Sequence, residues 1–61
     1  MTGSEILKVL KKSGFKVIRI NGSHYFVSNG KIKFPVPVHG KKDVKLGTLK
    51  KIEKLSGVKL K

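Results

Sequence analysis

The sequence predicts an α+β domain of order α-β-β-β-α, with one three-stranded antiparallel sheet and both helices on its apolar face. Three observations predict it. Apolar residues recur at helical spacing near both ends of the chain, the stretch between them alternates with a period of two, and two Asn-Gly pairs punctuate that stretch. A length of 61 residues leaves room for one core, so a single domain over residues 1–61 is expected.

The first helix opens on Thr2-Gly3-Ser4-Glu5, which has capping-box spacing. The threonine hydroxyl and the glutamate carboxylate can each satisfy a backbone donor at the other's end. Ile6, Leu7, Val9 and Leu10 then share one side, Lys11 and Lys12 suit the negative end of the helix dipole, and Gly14 can close the helix in the left-handed region.

Residues 15–20, 23–28 and 31–38 read as strands, separated by Asn21-Gly22 and Asn29-Gly30. Asn-Gly favours a two-residue hairpin turn because both positions need positive φ. Two such turns would set Ile20 opposite Ser23, Arg19 opposite His24, and His24 opposite Pro35. One face would then carry Ile18, Ile20, Tyr25, Val27, Ile32, Phe34, Val36 and Val38. The other would carry Val17, Arg19, His24, Phe26, Lys31 and Lys33. Pro35 and Pro37 cannot donate to a ladder, so the third strand should lie at a sheet edge. A polar loop, His39 to Asp43, precedes a second helix over residues 46–56, with Leu49, Ile52 and Leu55 inward and Gly57 as its stop. The tail after it, to Lys61, should pack through Val58 or Leu60.

Fifteen Lys or Arg against three Asp or Glu give a net charge of +12, which marks a polyanion as partner, nucleic acid first. Without Cys there is no disulfide, thiol catalysis or Cys-based metal site, and with three carboxylates a two-metal hydrolase is excluded; no metal or cofactor is expected. The chain has neither an apolar run near membrane-spanning length nor a signal peptide, so no membrane role and a cytoplasmic location are expected. Structure explains the acids: Glu5 by capping, Asp43 by the turn before the second helix, and Glu53 by pairing with nearby lysines.

His24 stands out among the remaining residues. It follows a rigid turn and faces the cationic side of the sheet. An imidazole beside positive charges suits RNA scission, where the substrate supplies its own 2′-hydroxyl nucleophile and lysines neutralise the phosphorane. Arg19, Lys33, Lys41, Lys42, Lys50 and Lys51 are candidate phosphate contacts, and Phe26 is a candidate base-stacking residue. His39 has structural roles open to it in the loop or against the edge strand. Binding without catalysis stays open at this level.

Four signatures, Gly22-Ser23-His24-x-Phe26, Pro37-Val38-His39-Gly40, Gly47-Thr48-Leu49-x-x-Ile52 and Ser56-Gly57, resemble the HicA (YcfA-like) toxin family in order and spacing, over essentially the whole chain. The resemblance implies a double-stranded-RNA-binding-like fold. It also implies a ribonuclease toxin of a type II toxin–antitoxin pair that cuts messenger RNA, with a HicB antitoxin as partner. It places the catalytic role on His24 only; Gly22 and Ser23, beside it in the motif, are candidate RNA-binding residues. A non-catalytic double-stranded-RNA-binding module is the alternative, and it would tolerate loss of His24.

Overall fold

The computed structural model describes residues 1–60 and follows the predicted order: α1 Gly3–Lys12, β1 Lys16–Asn21, β2 His24–Ser28, β3 Lys33–Pro37 and α2 Leu46–Ser56. Lys61, the end of the expected tail, lies outside the described residues.

The capping box is formed. The Glu5 amide donates to Thr2 Oγ1 at 3.3 Å, and the Thr2 amide donates to a Glu5 carboxylate oxygen at 2.8 Å. At the other end Gly14, at φ +95°, turns the chain so that the Phe15 amide donates to the Leu10 carbonyl at 3.0 Å. That turn drops Phe15 into the core, its ring tilted 60° against Phe34 at 5.6 Å between centroids.

The Thr2 amide and hydroxyl hold the Glu5 carboxyl below its ordinary pKa. A group depressed in this way gives stability that is complete above its unfolded value and lost as pH falls through the folded one. The Glu5→Gln protein should therefore lose less thermal stability than wild type between about pH 6 and about pH 3. Parallel melting curves across that range check it, and equal slopes would show the box to be energetically silent.

The sheet order is β1-β2-β3, with both pairings antiparallel. Each register differs from the expected one by two residues. In the first hairpin Asn21 pairs with His24, so the turn is Gly22-Ser23 and not Asn21-Gly22. Gly22 has φ +61°, and among the described residues no non-glycine residue has positive φ. That is the type II′ pattern, with glycine at the first central position. In the second hairpin Ser28 pairs with Lys33 around a four-residue loop. Asn29 Oδ1 accepts from the Lys31 and Ile32 amides at 2.9 and 3.0 Å, and Ser28 Oγ from Gly30 at 3.1 Å. Lys31 and Ile32 therefore belong to the loop rather than to either sheet face.

A bulge between Val17 and Arg19 makes a third correction. Ile18 is the extra residue there and is 55% exposed, while Val17 pairs with buried Val27 and packs on the core. Ile20 keeps the core-facing phase but is 59% exposed, as β1 makes its principal contacts with β2 and not with either helix.

The core lies on one side of the sheet. Ile6 and Leu10 of α1 meet Val27, Phe34 and Val36 of the strands, joined by Ile52 of α2 and by Leu60. Leu49 is half-buried, but Leu55 is 45% exposed, so the inward stripe of α2 is narrower than expected. Among the described residues, Glu53 pairs with no lysine. Its carboxylate accepts from the Leu60 amide at 2.9 Å and pulls the tail down onto the core. Asp43 likewise has a different role from the one expected. Its carboxylate meets the N-terminal ammonium at 3.3 Å, and the Val44 amide donates to the Met1 carbonyl at 2.7 Å. The N-terminus and the segment before α2 are thereby tied together. No helix of the described residues is long and apolar enough to cross a membrane.

Candidate functional site

Paired residues of an antiparallel sheet share a face, so the register assigns the open side of this one directly. Three rows cross it: Asn21–His24–Pro37, Arg19–Phe26–Pro35 and Lys16–Ser28–Lys33. Successive rows lie about 7 Å apart along the strands. His24 is exposed at one end of this face, and two lysines occupy the other, about 13 Å away.

Local backbone geometry fixes where His24 stands. It is the first residue after the Gly22-Ser23 turn, and the Val38 amide donates to the Ser23 carbonyl at 2.7 Å, fastening the turn to the end of β3. His24 is thus held between an amide side chain on one strand and a proline on the other. The expected neighbours were Arg19 and Pro35, and both belong to the next row. Arg19 faces Phe26, which is half-buried between Arg19 and Pro35, while Val17 lies on the core side. Lys33 lies two rows from His24.

The other expected phosphate contacts divide into two groups. Lys50 and Lys51 are exposed on α2, whose layer covers the opposite side of the sheet from His24. Lys41 and Lys42 are exposed in the loop after β3. Lys42 lines a hollow of about 260 Å³ together with Pro37, His39, Asp43, Lys45 and Thr48. Since Pro37 also pairs with His24, the hollow begins one strand away from that histidine. Pro37 stands across from His24, and His39 follows it two residues later.

Asn21, Pro37, Lys45 and Thr48 were not expected at the site. The signal for Asn21 and Pro37 was in the sequence: Gly-Ser is itself a two-residue hairpin pair, overlapping Asn-Gly by one residue. Nothing in the local pattern around Lys45 and Thr48 points to the hollow, because the long-range tie between Met1 and residues 43–44 shapes it.

The electrostatics are one-sided. Glu5 is committed to the cap, Asp43 to the N-terminus and Glu53 to the tail, so the open face carries His24, Arg19, Lys16 and Lys33 with no acid among them. Among the described residues no three His, Asp or Glu side chains gather where they could hold a metal ion. Chemically, the face offers one exposed imidazole at the end of a cationic strip that contains an aromatic ring.

The family model described as the HicA toxin of bacterial toxin–antitoxin systems matches residues 3–58, a span that takes in all five elements. No curated protein matches the chain significantly.

Proposed function

The chain belongs to the HicA toxin family of bacterial toxin–antitoxin systems, and we propose that it is a metal-independent RNA endonuclease acting through His24. One observation carries the reading. All three acidic side chains are occupied in holding the fold, which leaves an exposed imidazole at the end of a cationic strip as the reactive group of the open face.

The 2′-hydroxyl oxygen of the RNA attacks the adjacent phosphorus while the bond to the 5′-oxygen breaks. His24 handles the proton that leaves the 2′-hydroxyl or the one that the 5′-oxygen gains, and the products are a 2′,3′-cyclic phosphate and a 5′-hydroxyl. Arg19 and Lys33 bind phosphates along the strand, Phe26 stacks a base, and Lys42 extends the track past Pro37. Gly22 and Ser23 keep the turn tight enough for the RNA backbone to approach His24. Lys41, Lys50 and Lys51 add long-range attraction rather than contact at the scissile phosphate. Messenger RNA is the substrate, a HicB-type antitoxin is the partner, the cytoplasm is the compartment, and residues 1–61 act as one domain.

Labelled RNA incubated with the purified protein in EDTA should be cut, leaving 2′,3′-cyclic or 3′-phosphate ends. Products with 3′-hydroxyl ends would refute attack by the 2′-hydroxyl. RNA that is bound but left intact would return the protein to the class of non-catalytic double-stranded-RNA binders.

A further inference from the structure

The two edges of the sheet are treated differently. β3 carries Pro35 and Pro37, and its end lies against Gly3 of α1. Prolines and cover of this kind are the usual means by which an edge is kept from pairing with another chain. β1 has neither. It is an edge of the sheet, contains no proline, and makes its principal contacts with β2 alone. It also displays Ile18 and Ile20, each more than half exposed, beside the charges of Lys16 and Arg19.

We infer that β1 is the docking edge for an added strand from the antitoxin, one that alternates acidic and apolar residues. The backbone donors and acceptors on the outer side of β1 supply the ladder, and the two isoleucines supply apolar burial. Charge selects the occupant. A second copy would bring another +12 chain against this one and set Lys16 and Arg19 near their own counterparts. An acidic strand meets those residues with opposite charge instead. The two cations guard the edge against self-pairing while leaving it open to such a strand.

The position also supplies a means of silencing the site, which rests on the ribonuclease reading above. A strand added at β1 lies about 10 Å from β2, two strand spacings away. Its open-face carboxylates would pair with Arg19 and take the place of a phosphate in the row next to His24.

The test uses the His24→Ala chain, a short peptide alternating glutamate and valine, and amide hydrogen exchange. Slowed exchange at residues 16–21 on adding the peptide is the expected result. Replacing Ile18 and Ile20 together by Thr should weaken peptide binding about tenfold. Protection confined to the α2 lysines, or binding unchanged in the isoleucine variant, would overturn the proposal. So would protection of residues 16–21 by a self-dimer without peptide. The isoleucine variant made with His24 intact should cut RNA at the wild-type rate. If the wild-type chain cuts no RNA, the ribonuclease reading fails, while the exchange result still decides the docking edge.

Discussion

The His24→Ala protein is expected to lose RNA cleavage by at least about a hundredfold, the lower end of what a positioned acid or base contributes. It should still bind RNA and should melt close to the wild-type temperature. The three outcomes have separate physical sources. The imidazole is exposed and touches no part of the core, so its removal should cost about 0.5 kcal/mol or less of stability. RNA affinity comes mainly from cations releasing counterions from phosphates, and Ala leaves every lysine and Arg19 in place. Only proton transfer depends on the ring. Digestion of labelled RNA, a binding titration at fixed salt and a melting curve measure the three. Cleavage retained by the variant would remove His24 from the mechanism, and a large loss of melting temperature would make the residue structural.

The face of His24 was legible in the sequence even though its neighbours were not. Both hairpins differ from expectation by two residues in pairing, and a side chain returns to the same face every two residues. His24 therefore kept its side while exchanging Arg19 and Pro35 for Asn21 and Pro37. Ile18 and Val17 show the opposite case. A bulge adds a single residue, a single residue reverses the phase, and nothing in the run Lys16 to Asn21 announces where the ladder breaks. Ile20 shows a third limit, since its phase was right and its burial wrong. Whether a helix lies over an edge strand depends on packing between distant elements. Asp43 and Glu53 lay beyond local reasoning for the same kind of reason. Their partners, the N-terminal ammonium and the Leu60 amide, are set by the path of the whole chain rather than by neighbours in sequence. The helix ends, by contrast, were fixed by adjacent residues, and Thr2, Glu5, Gly14 and Gly57 behave as their spacing requires.

The Gly3→Ala protein should be destabilised by about 1–3 kcal/mol, although helix propensity alone argues for the opposite sign. Gly3 is the first residue of α1, and alanine in a helix is favoured over glycine by roughly 1 kcal/mol. Packing reverses that preference. A Cβ at Gly3 would overlap the Pro37 carbonyl oxygen and stand 2.8 Å from the Val38 Cα and 2.9 Å from its Cγ2. Two of those three atoms are backbone and cannot rotate aside, so α1 or the end of β3 has to move. For a domain this small, total stability is about 3–9 kcal/mol at the usual figure per residue, and the loss is a large share of it. The displaced segment also pairs with His24 through Pro37 and holds the Ser23 carbonyl through the Val38 amide. RNA cleavage by the folded fraction should therefore fall along with stability. Urea unfolding of Gly3→Ala beside Ser4→Ala, a change at the exposed neighbouring position, separates the two effects. A Gly3→Ala midpoint equal to or above wild type would mean that helix propensity governs this position and that the approach of α1 to β3 is not tight.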